Sequence, residues 1–310
     1  MLTHEEMIGI QAENHDLIRT TTFRSVEEYV LQLVHTCAYV TASRVAKNKK
    51  VLDLGCNTGY GTRILFNSAK QIVGVDVSEN AISSAKNEYG HLGITFRQID
   101  GKRLPFDDDT FDVIVSFQVI EHIVDHSKYI GEIQRVLAPN GVVLFTTPNA
   151  LLRLDPGMKP WNEFHVREFS FSELKALLDA YFPKVGIFGL FANEPLYSIE
   201  VNRLSKAREN ARIRPNDSVS FYSSFRSKAK RMLPDEVQNE VINVRTKLKD
   251  FRRFLTREDD KIIEFVNKYG GDNFLYLEND LNAALDLLAI CCSSEERLED
   301  CKTRLTTKEH

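Results

Sequence analysis

The sequence has little cysteine, no long apolar run and almost no net charge, and each scarcity excludes a class of protein. Five cysteines in 310 residues, with no Cys-x-x-Cys pair, exclude a disulfide-stapled scaffold and a zinc site of the usual spacing. No stretch approaches the roughly 18 apolar residues of a membrane-spanning helix. The N-terminal MLTHEEMIGI lacks the basic start and apolar core of a signal peptide. We therefore expect a cytoplasmic protein without integral membrane association.

The net charge of -4 conceals an uneven distribution. Residues 201–257 carry 15 Lys/Arg against 6 Asp/Glu, a local charge of +9, so the other 253 residues sum to -13. One interpretation is a solvated helical surface, and the other is a lid that attracts an anionic substrate. RNA or an anionic membrane surface would also suit this charge, although no RNA-binding module is recognisable in the sequence.

Strand-like and helix-like segments alternate from residue 26 to residue 191. The predicted helices cover 26–46, 62–69, 79–89, 126–137 and 171–180, and the predicted strands cover 50–54, 71–77, 94–99, 111–117, 142–147 and 184–191. The apolar run FDVIVSF at 111–117 is typical of a strand that is buried on both faces. The alternation predicts an α/β fold with a doubly wound, mostly parallel seven-stranded sheet.

The pattern changes after residue 194. Residues of about 195–280 are helical in character, and LDLLAICC at 285–292 predicts a seventh strand that returns to the sheet edge. The predicted domains are therefore 1–194 plus about 281–293, a helical insertion or lid at about 195–280, and a frayed polar tail at 294–310. The alternative is that 284–292 is one more helix of a C-terminal appendage. Apolar residues at 3,4,3,4 spacing form a stripe in the insertion, namely Val241, Val244, Leu248, Phe251 and Leu255.

The strongest motif is VLDLGCNTGYG at 51–61, where a strand enters a glycine-rich turn that opens a helix. Glycine admits positive φ and a close ligand, and the helix N-terminus offers free N–H groups. Asp53 lies two residues before the first glycine, where a carboxylate repels a pyrophosphate and suits an amine. Asp76 ends the second strand, 21 residues beyond Gly55, where an acidic side chain can accept both ribose hydroxyl hydrogens.

Two cofactors fit this pattern, a dinucleotide and S-adenosylmethionine. The glycine spacing matches short-chain dehydrogenases, but none of the ten tyrosines is followed four residues later by the lysine that those enzymes use. Asp53 also argues against a pyrophosphate at this turn. We therefore favour S-adenosylmethionine.

Five segments in order resemble the motifs of the class I S-adenosylmethionine-dependent methyltransferases, over about residues 30–190. They are VLDLGCNTGYG, IVGVDVS, Ile99-Asp100-Gly101 with the following LPF, FDVIVSFQVIEHI and RVLAPNGVVLFTTPN. Asn57 stands where many relatives have glycine, but asparagine also tolerates left-handed backbone. The resemblance implies a Rossmann-like methyltransferase fold and S-adenosyl-L-methionine as cofactor.

The resemblance also implies a cofactor site. Gly55 and Gly59 would approach the methionine moiety, and Asp53 would lie toward its amino group. Asp76 would hold the ribose. The alternative, for Asp76 and Asp100 alike, is a solvated carboxylate or a helix cap. The segments after the third and fourth strands would complete the site. After the third, Asp100 would hold the adenine amino group and Gly101 would provide the adjoining backbone contact. After the fourth, Gln118 would lie near the sulfonium.

Two histidines are the candidate catalytic residues, because imidazole suits proton transfer near neutral pH. His122 follows the fourth strand, and His165 lies in the polar segment PWNEFHVREFS after the fifth. The structural alternative for each is a backbone-bonding or packing role. The other histidines of the core region, His35, His91 and His126, are expected at the surface.

A second resemblance concerns metal-dependent RNA 2′-O-methyltransferases, which use two Glu three residues apart, then His and a later His. Glu121, His122 and His165 match three of these positions, but Gln118 stands at the first, and a neutral amide is a weaker ligand for a hard cation. We therefore predict no metal site. The predicted function is methyl transfer to a hydroxyl, or less favourably an amine, of a small-molecule or glycan acceptor. Nucleic acid is disfavoured, a non-catalytic cofactor-binding protein is the competing class, and the sequence does not indicate the oligomeric state.

Overall fold

A computed structural model describes residues 25–213 and 257–306 of the chain, together with Phe23. The helices of these residues are α1 Val26–Val45, α2 Tyr60–Phe66, α3 Glu79–Tyr89, α4 His126–Val136, α5 Ala150–Arg153, α6 Phe171–Asp179, α7 Leu196–Ile213, α8 Arg257–Lys268 and α9 Glu295–Thr306. The strands are β1 Lys50–Leu54, β2 Gln71–Asp76, β3 Thr95–Gln98, β4 Phe111–Phe117, β5 Leu137–Pro148, β6 Lys184–Ala192, β7 Phe274–Leu277 and β8 Asp286–Cys292.

The strands form one sheet in the order β3-β2-β1-β4-β5-β8-β6-β7. Strands β1 to β5 are parallel, whereas β8 runs antiparallel to both β5 and β6, and β7 runs antiparallel to β6. The order reverses between β1 and β4, and open α/β sheets bind ligands outside the carboxyl ends of the strands at such a point. The predicted α/β class is confirmed.

Helices cover both faces of the sheet. Side chains of α1, α2, α3 and α9 pack in one apolar cluster, and those of α4 and α6 pack in the other. Ser78, Asp125 and Ser170 cap α3, α4 and α6, and each side chain accepts a hydrogen bond from a backbone N–H of the first turn. The residues between these two layers, such as those of β4, are therefore apolar on both faces of the sheet.

Two details of the sheet differ from the sequence prediction. The predicted strand at 285–292 exists, but β8 lies between β5 and β6 rather than at the edge, since both of its neighbours pair with it. An eighth strand, β7, lies within the range predicted to be helical. It has only four residues, with Phe274 and Tyr276 buried and Leu275 and Leu277 exposed. All four residues are apolar or aromatic, so the sequence FLYL has no apolar–polar alternation that would indicate a strand.

The C-terminal segment predicted as a frayed tail is helix α9. Leu298, Cys301 and Leu305 recur at helical spacing and are 4%, 0% and 5% exposed. Arg44 of α1 donates a hydrogen bond to the Leu305 carbonyl oxygen at 2.8 Å. The many charged residues of this segment lie on the outer face of α9, and they concealed its apolar stripe in the sequence.

We expect the substitution Leu298→Ala to destabilise the fold by about 2–4 kcal/mol, because it removes a buried side chain from the cluster under α9. Urea denaturation followed by circular dichroism measures this change. The control is Glu296→Ala, an exposed position of the same helix, for which we expect a change within about 0.5 kcal/mol. Equal stability of the two variants would show that α9 is not part of the core.

The apolar stripe at 241–255 and most of the basic segment at 201–257 lie outside the described residues. The described part of that segment is residues 201–213 of α7, where Leu204 is buried, and Arg257 at the start of α8. Across the residues that the structure describes, none of the helices combines the length and the hydrophobicity needed to cross a bilayer.

Candidate functional site

A cavity of about 770 Å³ lies at the carboxyl ends of β1, β2, β4 and β5. This volume is within the range of pockets that bind small molecules and cofactors. Of the site residues predicted from the sequence, six line the cavity, namely Gly55, Asp76, Gly101, Gln118, His122 and His165. Asp53, Gly59 and Asp100 do not line it.

In the glycine-rich turn after β1, three alternate residues have a left-handed backbone conformation. Gly55, Asn57 and Gly59 have φ of 85°, 47° and 80°. Asn57 thus adopts the conformation expected of it, and the turn is intact. A Cβ at Gly55 would overlap the Val119 side chain, whereas one at Gly59 would overlap Phe96 beneath the turn. Gly55 therefore forms the cavity wall, and Gly59 allows the turn to pack on the sheet.

Asp53 supports the turn from below. It is fully buried, and its carboxylate accepts hydrogen bonds from Thr62 Oγ1 at 2.6 Å and Tyr39 Oη at 3.3 Å. Burial raises the pKa of Asp53 to about 7, although these two hydrogen bonds oppose the shift. Tyr39 itself lines the cavity, so Asp53 reaches the cavity through Tyr39 rather than directly.

Asp76 lies at the end of β2 with only 4% of its surface exposed. Its carboxylate accepts hydrogen bonds from the backbone N–H groups of Asn57 and Ser78, both at 2.9 Å. This carboxylate thus joins the glycine-rich turn to the start of α3 and faces the cavity.

Asp100 is arranged differently. Its carboxylate accepts hydrogen bonds from the backbone N–H groups of Lys102 at 2.8 Å and Arg103 at 3.2 Å, and these bonds lower its pKa. Asp100 therefore holds the turn in which Gly101, with φ of 71°, lines the cavity.

Gln118 directly follows β4 and has a left-handed backbone, with φ of 58°. A non-glycine residue in this conformation is strained, and such residues cluster at functional sites. Its side-chain Nε2 donates to Asp286 Oδ2 at 2.7 Å and to Thr146 Oγ1 at 3.2 Å. Burial, with the charge of Glu121 as a further cause, raises the pKa of Asp286 well above its usual range.

His122 and His165 come together in the cavity, with ring centroids 4.8 Å apart and ring planes nearly perpendicular. His122 Nδ1 lies 2.8 Å from the Phe164 carbonyl oxygen, to which it must donate. His165 Nδ1 lies 2.7 Å from Glu168 Oε1. Phe164 and Glu168 both belong to the segment between α5 and α6, so this one segment fixes both imidazoles through Nδ1.

Glu168 is the residue that orients His165. Only 5% of it is exposed, and its second oxygen accepts a hydrogen bond from Arg153 Nε at 2.8 Å. Burial acts to raise the pKa of Glu168, but the hydrogen bonds from His165 and Arg153 and the Arg153 charge outweigh it, so the pKa is lowered. An ionised Glu168 keeps the proton of His165 on Nδ1.

Glu121 lies beside the two histidines and is fully buried. Its Oε2 accepts a hydrogen bond from Thr147 Oγ1 at 3.0 Å. Its Oε1 is buried and receives no hydrogen bond from any of the residues that the structure describes. Burial raises the pKa of Glu121, and the His165 charge opposes this shift.

Four further residues line the cavity, and the sequence pattern had indicated no role for them. The Arg153 guanidinium lies 4.1 Å from the centroid of the Trp161 ring, and the indole Nε1 is buried without a described hydrogen-bond acceptor. His35, predicted at the surface, lines the cavity, and burial lowers its pKa to about 4. Arg203 of α7 also lines it and is paired with Glu200 at 2.7 Å.

Comparisons with known proteins agree with this geometry. Residues 46–181 match the family model described as a methyltransferase domain. The chain is 34% identical over 202 residues to a probable S-adenosylmethionine-dependent methyltransferase of Mycolicibacterium smegmatis, covering 64% of this chain and 72% of that protein. It is 33% identical over 113 residues to a ubiquinone biosynthesis O-methyltransferase of Coxiella burnetii, covering 36% of this chain and 48% of that protein.

A solved structure, the YcgJ protein of Bacillus subtilis, is also similar. It is 17% identical with a TM-score of 0.43, and the match covers 84% of this chain and 99% of that one.

The geometry of the site therefore agrees with the similarity to the Mycolicibacterium protein. That geometry comprises the cavity at the switch point of the sheet, the glycine-rich turn and the buried Asp76. S-adenosylmethionine is the cofactor that they imply, and this chain belongs to the class I S-adenosylmethionine-dependent methyltransferases, a family of enzymes.

Proposed function

We propose that the chain transfers the methyl group of S-adenosylmethionine to a hydroxyl oxygen of a small, sugar-like acceptor, with His165 and His122 as the catalytic residues. The observation that carries this proposal is the pair of oriented imidazoles in the same cavity as Asp76 and the glycine-rich turn. An amine acceptor is nucleophilic once neutral, whereas a hydroxyl must lose a proton, which is the chemistry that imidazole supports.

For the cofactor, we propose that Asp76 accepts the ribose hydroxyl hydrogens and that Gly55 and Gly101 provide close backbone contacts. Asp53 and Gly59 would then act indirectly, by holding the turn in place from beneath. Asp100 would act through the turn that presents Gly101. Gln118, fixed by Asp286, would lie at the reacting end, between the cofactor and the histidines.

When bound, S-adenosylmethionine supplies an electrophilic methyl group on a sulfonium. The protein must then align the acceptor oxygen in line with that methyl group and remove the hydroxyl proton. His165 is suited to this because the buried Glu168 fixes its orientation and its tautomer. His122 is fixed in the same way by the Phe164 carbonyl oxygen.

The acceptor would occupy the side of the cavity that contains Trp161, Asn162 and Arg203. An aromatic ring with hydrogen-bonding groups around it suits a molecule that has apolar faces and several hydroxyl groups. The O-methyltransferase of Coxiella burnetii among the relatives supports a hydroxyl acceptor.

Turnover of methyl-tritiated S-adenosylmethionine with separate panels of acceptors tests the proposal. We expect label in mono- and oligosaccharides or other small polyols, less label in small amines and none in RNA. The matched background is the His165→Gln variant with each panel. Label in amines alone would contradict the hydroxyl acceptor, and cofactor binding without transfer to any panel would favour the non-catalytic class.

A further inference from the structure

We propose that Glu121, His122 and His165 bind a divalent transition-metal cation, which holds and activates the acceptor hydroxyl. One ligand atom from each residue lies within 4.8 Å of the ligand atoms of the other two. All three residues line the cavity, so a cation at this position would contact the acceptor. The inference rests on the proposed function for its chemical role, and it reverses the sequence-based expectation of no metal.

The orientation of the two imidazoles is the first independent support. Each Nδ1 is hydrogen-bonded to an acceptor, the Phe164 carbonyl oxygen for His122 and the Glu168 carboxylate for His165. This places the lone pair of each neutral ring on Nε2. Histidines that coordinate metals nearly always donate their other N–H to a carboxylate or a backbone carbonyl, and both kinds of partner are present here.

The buried carboxylate is the second support. Glu121 is 0% exposed, and its Oε1 receives no hydrogen bond among the described residues. A buried, unsatisfied carboxylate oxygen costs free energy unless it is paired or coordinates a cation. The other oxygen, Oε2, accepts a hydrogen bond from Thr147, so only one of the two carboxylate oxygens has a partner among the described residues.

The balance of buried charge is the third support. Glu121 lines the cavity, and the buried carboxylates Glu168, Glu200 and Asp286 lie near it or near one another. Glu168 is paired with Arg153 and Glu200 with Arg203, but Glu121 and Asp286 have no Lys or Arg ion pair among the described residues. A divalent cation would give Glu121 the positive partner that it lacks among these residues.

The donor set indicates which cations would bind. Two imidazole nitrogens and one carboxylate oxygen favour Mn²⁺, Co²⁺ or Zn²⁺ over Mg²⁺ and Ca²⁺, which prefer oxygen ligands. Gln118 is not needed as a ligand, since its amide is fixed by Asp286 and Thr146. With three protein ligands, open positions remain for the acceptor.

The cation would act as a Lewis acid that lowers the pKa of the acceptor hydroxyl. The hydroxyl proton would pass to solvent water, the oxygen–methyl bond would form, and the methyl–sulfur bond would break with its electron pair on sulfur. His122 and His165 would then act as ligands in the catalytic step, and Glu168 as the residue that positions His165.

Co²⁺ titration of the chelator-treated full chain, with S-adenosylhomocysteine present, tests the cation site through the visible d–d absorption of bound cobalt. We expect one Co²⁺ per chain, competed by Zn²⁺ and Mn²⁺ but not by Mg²⁺ at equal concentration. Glu121→Gln and His122→Gln are expected to weaken Co²⁺ binding by at least about 100-fold, and Glu168→Gln by about 10- to 100-fold. S-adenosylhomocysteine affinity, measured by calorimetry, should be unchanged, which shows that each variant is folded.

Two neighbouring residues provide matched controls for these variants. His126→Gln changes a histidine that is bonded to the Ile120 carbonyl and does not line the cavity, and Glu163→Gln changes an exposed carboxylate near His165. Both should bind Co²⁺ like the unaltered chain. Absence of Co²⁺ binding to the unaltered chain, or equal binding to Glu121→Gln, would overturn the cation site.

Labelled-methyl transfer separates this inference from the proposed function. Full transfer to a polyol in the presence of chelator would refute the cation's role and leave the hydroxyl acceptor standing. Binding of Co²⁺ without transfer to any hydroxyl acceptor would refute the proposed function and leave the cation site standing.

Discussion

Replacing His165 with glutamine is expected to lower kcat by about 10²- to 10⁴-fold with a true acceptor, because the substitution removes the imidazole that prepares the hydroxyl for attack. Glutamine keeps much of the side-chain volume and can still hydrogen-bond Glu168, so the loop should remain folded. S-adenosylhomocysteine affinity should stay within about twofold, since the proposed cofactor contacts lie at Asp76, Gly55 and Gly101. Steady-state kinetics and calorimetry measure the two quantities separately.

The control for this experiment is His126→Gln, for which we expect kcat within about twofold of the unaltered chain. His126 is the first residue of α4 and packs against Phe169, with its Nε2 at 3.0 Å from the Ile120 carbonyl oxygen. A general loss of loop structure would lower kcat in both variants. Unchanged kcat in His165→Gln would show that His165 is a packing residue, the structural alternative that the sequence left open.

The sequence alone predicted the parallel part of the fold because that part depends on local patterns. Apolar runs such as FDVIVSF, and capping residues such as Ser170, act within a few residues of chain and can be recognised there. The position of β8 depends instead on pairing across more than a hundred residues, with Val143 opposite Cys291. No local pattern indicates which neighbours a strand will choose.

The candidate site divides in the same way. Asp76, Gly55 and Gln118 were candidates because Asp76 ends β2 and the other two directly follow β1 and β4, at the carboxyl edge of the sheet. Glu168 was not recognised as the partner of His165, although a carboxylate three residues after a histidine is a detectable signal. Asp286 and Arg153 reach the site from distant parts of the chain, so their proximity to Gln118 and Glu168 could not be predicted from spacing.

Asp53 is a motif residue whose surroundings in the fold could not be predicted from the sequence. Its place two residues before the first glycine suggests that it approaches the cofactor's amino group, directly or through water. In the fold it is fully buried beneath Tyr39, with a pKa raised to about 7 by burial. Its bonds to Tyr39 and Thr62 join helices α1 and α2 to strand β1, so it supports the cavity wall at Tyr39.

Asp76→Asn is expected to weaken S-adenosylhomocysteine binding by about 100-fold or more. Hydrogen bonds to a charged group contribute about 1.5–3 kcal/mol each, and a factor of ten in affinity corresponds to about 1.4 kcal/mol. Asparagine retains the shape of aspartate but offers one acceptor oxygen in place of two. The carboxylate also accepts hydrogen bonds from the backbone N–H groups of Asn57 and Ser78. A loss of affinity therefore has two causes to separate, the lost ribose contact and a disturbed turn.

Two further variants separate these effects in the same calorimetric titration. Asp112→Asn also removes a carboxylate that accepts a backbone N–H, from Lys50 at 2.8 Å, but it lies outside the cavity, so we expect affinity within about twofold. Asp100→Asn should give an intermediate loss if Asp100 acts only through the Gly101 turn, and a loss equal to that of Asp76→Asn if it contacts the cofactor itself. An affinity for Asp76→Asn within about threefold of the unaltered chain would contradict the ribose contact, because no other carboxylate among the described residues lies at the end of β2 and faces this part of the cavity.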